Sequence, residues 1–279
     1  MRILTTALVA ALLLTAPAAA PAATVDGATI HWTSSGRGAQ TVVLVHGWTC
    51  DETSWREQVP VVSKSYRVIT LDLPGHGKSG MPKTFTMEVF ARAIEAVRVE
   101  AGVDKIFLVG HSMGTPVIRK YALMFPDRVK GLVLVDGLVL VDGLVQLSAN
   151  GIQPGQPGRG PLPAVTIASR EAMVKGMFGP ATTPDLQQHI LKMMMGTPEA
   201  TAAGAMAATW DQSQLSDQKI KAPVLAVYAG TRPLATEQAV KTLYPEADYY
   251  TIPETAHFLM MEKPIEFNRM LLKFVEKFK

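Results

Sequence analysis

Short unbroken apolar runs alternate along this chain with longer stretches in which apolar residues recur every three or four positions. Val42-Val43-Leu44-Val45, Ile106-Phe107-Leu108-Val109 and Val224-Leu225-Ala226-Val227-Tyr228 are runs of the first kind. A run without polar alternation suits a strand buried on both faces. The pattern predicts strands also over 29–33, 66–71 and 249–252, with the first of the unbroken runs extending from residue 40 to 45. Helical character is predicted over 54–63, 86–100, the stretch beginning Val117-Ile118, and the C-terminal segment from Pro264. Strand and helix alternate, which argues for a parallel sheet covered by helices on both sides.

Two segments interrupt the alternation. LVLVDG occurs twice in tandem over 132–143, yielding Asp136 and Asp142. A six-residue offset keeps both on one face of a strand but sets them about 20 Å apart along it, so only one can serve a given point at the strand end. Residues 151–163 are then rich in Gly and Pro, and Met-rich helical segments follow over 170–178, 184–195 and 198–211. The expected organisation is a single α/β core, 23–143 and 218–279, with a helical cap inserted over 144–217.

Composition adds limits. With 279 residues, 48% of them apolar and 18% charged, the chain can fill a large core and is not of disordered type. Lys and Arg are scattered and the net charge is +3, so a nucleic-acid partner has no support. Residues 1–22 read as a secretory signal peptide: Arg2, an apolar stretch from Ile3 to Leu14, then small residues with Ala20 and Ala22 placed for cleavage. That apolar stretch is too short for a transmembrane helix. The expectation is an exported protein, periplasmic or secreted, with no stable membrane anchoring after cleavage. The single cysteine, Cys50, cannot form an internal disulfide and is expected to be a small buried residue.

The chemistry centres on Gly110-His111-Ser112-Met113-Gly114, set between an apolar run and a helix-like segment. A serine on a sharp strand-to-helix turn is lifted clear of the backbone, and the helix N-terminus offers N–H groups to an anion. Such a hydroxyl is barely nucleophilic without a base in reach. Together with His46-Gly47-Trp48, the DLPGHGKS loop over 72–79 and TIPETAHF over 251–258, this elbow resembles the α/β-hydrolase superfamily. The likeness covers nearly all of the chain after the leader and is weakest across the cap.

The resemblance implies the α/β-hydrolase fold, with Ser112 as nucleophile, His257 as its base, and the backbone N–H groups of Trp48 and Met113 as an oxyanion hole. It implies an acid after the strand ending at Tyr228, yet Ala229-Gly230-Thr231-Arg232-Pro233 contains no carboxylate. Some members take the acid from the preceding core strand, which points to Asp136, 24 positions after Ser112. Asp142 is the alternative acid, and Glu237 a third that reads better as a helix start. His46, His76 and His111 read as loop-shaping, His46 with a second reading as a substrate contact. His31 and His189 read as structural or surface residues. Met173, Met177, Met193, Met194, Met195 and Met206 read as cap packing, or in part as the lining of an apolar acyl pocket. The function these features imply is an exported serine hydrolase cleaving small or medium apolar carboxylic esters through an acyl-enzyme. A lactonase, C–C hydrolase or perhydrolase would share the same residues, and a ligand-binding or sensor protein on this scaffold stands as the non-enzymatic alternative. Neither an organic cofactor nor a metal is implied, and the oligomeric state is left open.

Overall fold

The computed structural model describes residues 23–139, 165–211, 213 and 216–279. The leader, Asp142 and the Gly/Pro-rich segment lie outside the described residues. In chain order the elements are β1 (Thr24–Val25), β2 (Ala28–Thr29), β3 (Trp32–Ser35), β4 (Thr41–Val45), α1 (Val59–Val62), β5 (Arg67–Leu71), α2 (Met87–Glu100), β6 (Ile106–His111), α3 (Gly114–Met124) and β7 (Val129–Val135). After these come α4 (Ile167–Lys175), α5 (Pro184–Gly196), α6 (Glu199–Thr209), β8 (Val224–Ala229), α7 (Glu237–Leu243), β9 (Asp248–Ile252), α8 (Leu259–Glu262) and α9 (Pro264–Lys277). Strands β3 to β9 form one sheet in the order β3-β5-β4-β6-β7-β8-β9. Within this sheet, among the described residues, only the β3–β5 pair is antiparallel. Every residue of β4, β6 and β8 is buried, as their unbroken apolar runs require.

Helices cover the sheet through apolar faces spaced three and four apart. On α2, Phe90, Ile94 and Val97 are buried, and Thr86 caps the helix by accepting from the Val89 N–H at 3.0 Å. On α9, Phe267, Leu271 and Phe274 are buried, each such side chain stabilising by about 1.5–3 kcal/mol.

Three segments depart from the sequence pattern. The strand expected over 29–33 is split, because Ile30 donates to Ala23 while His31 bonds through its N–H to Ser79 Oγ and through its carbonyl to the Asp72 N–H. Those backbone groups serve the hairpin and the 72–79 loop in place of a sheet. The helix expected over 54–63 is a 3-10 turn (Glu52–Trp55) followed by α1. A continuous helix would have Pro60 in its interior, without an N–H to donate. The first cap helix starts earlier than expected, at a capping box in which Thr166 and Ser169 exchange side-chain-to-backbone bonds.

Register is what positions the site. Val45 pairs with Gly110, His111 with Val135, and Val135 with Val227. Four parallel strands therefore end level, and the residues just beyond them gather at the carboxyl edge of the sheet, where open α/β sheets bind ligands. The first LVLVDG copy supplies the end of β7. The helices α4 to α6 are inserted between β7 and β8. Among the described residues no helix is long and apolar enough to cross a membrane.

Below this edge lie buried neutral histidines. Burial pushes His76 down to about 3 from an ordinary 6.5, and also lowers His46 and His111. A histidine depressed in the folded state binds its proton more readily when unfolded, so stability is lost as pH falls below 6.5, down to the folded value. Between pH 7 and pH 5 His76 alone should cost about 2 kcal/mol. Urea denaturation at the two pH values should show that loss, and His76→Asn, which keeps a donor for the Pro74 carbonyl, should flatten it. An equal slope in both proteins would contradict the buried neutral state.

Candidate active site

Ser112 occupies a strained turn. Its φ is +53°, in the left-handed region that non-glycine residues rarely enter. Its N–H donates to the Val135 carbonyl at 3.0 Å, and its own carbonyl accepts from Thr115 N–H at 3.0 Å. The flanking glycines are required by crowding: a Cβ on Gly110 would stand 2.5 Å from the Gly114 carbonyl oxygen, and one on Gly114 would stand 2.5 Å from that of Val45. This is the strand–turn–helix elbow expected from the sequence. Ser112 retains 9% exposure, as does His257, so both reach the rim of a largely closed site.

His257 lies in the loop between β9 and α8, and Asp136 follows β7 directly. The structure brings the two together, with Nδ1–H of His257 donating to Asp136 Oδ2 at 2.7 Å. Asp136 is fully buried and has φ +37°, which turns the chain off the sheet while its N–H still bonds the Val227 carbonyl at 2.9 Å. Its other oxygen, Oδ1, accepts from the N–H groups of Ala229 and Leu234, both at 3.1 Å. The last residue of β8 and the loop after it, which lack a carboxylate, thus supply one amide each to a carboxylate from the neighbouring strand. An ionised carboxylate is an acceptor only, and all three of these contacts are donors. Glu237 begins α7, next to its cap Thr236, and pairs with Lys241.

His111 braces His257. Its Nε2–H donates to the His257 carbonyl at 2.9 Å, and the two rings lie 4.6 Å apart. Burial and the neighbouring His257 hold the His111 pKa well below its ordinary value, which keeps the ring neutral. His46 shapes the opposite loop, donating from Nδ1 to the Gly47 carbonyl at 2.8 Å and accepting the Leu73 N–H on Nε2 at 3.0 Å. His76 packs against it, ring centres 5.1 Å apart, and donates to the Pro74 carbonyl. His189 lies on α5, 3.4 Å from the Thr53 hydroxyl. Burial pushes the Cys50 thiol up to about 12, so it is inert at neutral pH.

The loop after β4 passes beside Ser112, near enough that a Cβ on Gly47 would stand 3.0 Å from Ser112 Cβ. Neither the Trp48 N–H nor the Met113 N–H donates to a protein acceptor among the described residues. The cap is fastened to this loop. Trp48 Nε1–H donates to the Ala202 carbonyl at 2.8 Å, and Thr197 Oγ1–H to the Thr49 carbonyl at 2.9 Å. Thr49 has φ +55°, an uncommon conformation for a β-branched residue. Arg170 holds the corner between α5 and α6 by donating to the carbonyls of Thr197 and Met195, countering the negative end of the α5 dipole. Met193 and Met194 are buried in this cap, Met177 and Met206 are partly buried against the hydrophobic core, and Met173 is exposed.

One cluster had no sequence signal. His31, Glu52 and Asp72 place ligand-type atoms within 4.8 Å of one another. Their bonds are already committed: Glu52 Oε1 meets Lys78 Nζ at 2.9 Å and His31 Nε2 at 3.0 Å, while Asp72 accepts the N–H groups of Glu52 and Lys78. The Lys78 ammonium is the cation of this group, which braces the 72–79 loop.

Residues 40–156 match the family model described as alpha/beta hydrolase fold. The chain is 29% identical over 265 residues, 92% of its length and 69% of the relative's, to the dihydrolipoyllysine-residue acetyltransferase component of the acetoin cleaving system of Cupriavidus necator. It is 27% identical over 263 residues, 89% of its length and 98% of the relative's, to the pimeloyl-[acyl-carrier protein] methyl ester esterase of Vibrio cholerae. The solved structure of the esterase RhEst1 from a Rhodococcus species superimposes with a TM-score of 0.78 at 22% identity, covering 92% of this chain and 98% of that one.

Replacing His111 by Phe keeps a ring but leaves the His257 carbonyl without its donor. Urea denaturation at pH 7 should show a loss of about 1–3 kcal/mol. An unchanged midpoint and slope would mean that the ring does not hold that carbonyl.

Proposed function

The chain is a member of the α/β-hydrolase superfamily, and on that footing we propose that it is an exported serine hydrolase of carboxylic esters with small or medium apolar groups. The observation that carries this reading is the 2.7 Å bond from His257 Nδ1–H to a buried Asp136. That bond fixes the tautomer, leaving Nε2 as the basic nitrogen. In the proposed reaction Ser112 Oγ attacks the ester carbonyl carbon while His257 Nε2 takes its proton. The carbonyl oxygen, now an anion, is met by the N–H groups of Trp48 and Met113. Collapse breaks the bond to the alcohol oxygen, which leaves with the proton from His257, and Ser112 keeps the acyl group. Water, deprotonated by the same nitrogen, then releases the acid and restores the hydroxyl. Asp136 stays ionised throughout and stabilises the imidazolium that forms in each half-reaction.

The names of these relatives speak of ester and other acyl chemistry, which supports the same class of chemistry for this chain. The ligand-binding alternative was motivated by the missing carboxylate at 229–233. The bond between His257 and Asp136, which also accepts the N–H groups of Ala229 and Leu234, supports the enzymatic reading over that alternative. Export is part of the proposal too. Cleavage after Ala22 would leave the α-ammonium of Ala23 beside Glu100, whose Oε2 lies 2.5 Å from the Ala23 nitrogen. N-terminal sequencing of exported material should begin near Ala23, and an intact Met1 would contradict the proposal.

Short-chain p-nitrophenyl esters test the activity. The parent protein should turn them over and react with a fluorophosphonate probe, and Ser112→Ala should do neither. Asp136→Asn should lower kcat by about 10³–10⁴-fold, through the wrong imidazole tautomer, whereas Asp142→Asn and Glu237→Gln should stay near the parent rate. A crippled Asp142→Asn with an active Asp136→Asn would overturn the acid assignment.

A further inference from the structure

We propose that Glu262 is a positioning residue whose carboxylate latches the backbone beside His257 to the cap. The proposal rests on reading His257 as the base for Ser112. Glu262 sits in α8, five positions after His257. Its Oε2 accepts the N–H of Ala256, the residue before His257, at 2.6 Å. Its Oε1 accepts Thr182 Oγ1–H, also at 2.6 Å. Thr182 is a buried residue of the connection between α4 and α5, and its hydroxyl oxygen accepts the Gly179 N–H at 2.9 Å. Gly179 in turn lies so close to Ala256 that a Cβ there would stand 2.6 Å from Ala256 Cβ. One carboxylate therefore joins the cap connection to the catalytic loop, across an interface closed by direct packing.

The chemistry of the carboxylate supports a positioning role. Its two donors are neutral, and burial pushes its pKa up from the ordinary glutamate value. Placing a carboxylate here costs desolvation, which these two bonds must offset. Glu262 holds the backbone on one side of His257, and His111 holds the carbonyl on the other. Two clamps thus set the imidazole position, and one of them is tied to the cap through Thr182. Docking of the α4–α5 connection and alignment of the base are then a single event. A displacement of about 1 Å in a catalytic group can cost about 10²-fold in rate.

The test pairs kinetics on a p-nitrophenyl ester with proton NMR of the far-downfield resonance of the His257 Nδ1–H···Asp136 bond. Glu262→Ala should lose or broaden that resonance and lower kcat by about 10–100-fold, with KM close to the parent's. Glu262→Gln should restore both, since its carbonyl can accept from Ala256 and its amide can donate to the second lone pair of Thr182 Oγ1. Thr182→Val, which leaves the Ala256 bond in place, should give a smaller loss of kcat. The double variant should be no worse than Glu262→Ala alone, the signature of one shared interaction. An unchanged resonance and kcat in Glu262→Ala would overturn the latch, as would additive losses in the double variant. If Glu262→Ala fails to fold, Thr182→Val decides, because a parent-like kcat there removes the link to the cap. Absence of Ser112-dependent turnover in the parent would instead bring down the hydrolase reading, and the resonance comparison would still decide the latch.

Discussion

The hydrogen bond between Asp136 and His257 is the constraint on which the rest of this site depends. A buried carboxylate is costly unless its lone pairs are satisfied, and here Ala229, Leu234 and His257 all donate to it. Those donors come from two segments far apart in sequence, brought together only because β7, β8 and β9 are adjacent and parallel. A change in the register of β7 by one residue would turn Asp136 to the other face of the sheet. The hydrophobic packing of the sheet therefore fixes the electrostatics at its edge.

Strain is concentrated at the same edge. Ser112, Thr49 and Asp136 all have positive φ, each costing on the order of 1–3 kcal/mol. The first directs a hydroxyl out of the elbow, the second shapes the loop beside it, and the third aims a carboxylate at the histidine. The surrounding hydrogen bonds, from the Ser112 N–H to Val135, from the Asp136 N–H to Val227 and from the Thr197 hydroxyl to Thr49, hold these conformations in place. Part of that support comes from the cap, which reaches the core through Trp48, Thr197 and Glu262 as well as through apolar packing.

Much of this was legible in the sequence for physical reasons. Unbroken apolar runs identify strands buried on both faces, and the glycines around Ser112 mark a turn too tight for side chains. Which aspartate meets His257 is harder to read from the sequence. Two identical LVLVDG copies offer the same local signal, and what distinguishes Asp136 is that β7 ends at Val135, level with the end of β6. Pairing between distant strands decides that, and no local pattern encodes it. The same applies to Glu262, whose significance lies in the amide and hydroxyl it meets from other elements, and to the His31–Glu52–Asp72–Lys78 group, assembled from three separate stretches. The split at residues 30–31 and the break before Pro60 were missed for opposite reasons: tertiary hydrogen bonds took the first, while the proline was a local signal outweighed by apolar spacing.

The most direct test of the account is a crystal structure of the protein after reaction with a small alkyl fluorophosphonate. The account predicts phosphorus bonded to Ser112 Oγ, a phosphoryl oxygen facing the Trp48 and Met113 amides, and His257 Nδ1 still on Asp136. A His257 ring turned away from Asp136 toward another carboxylate, or phosphorus on a different residue, would contradict it.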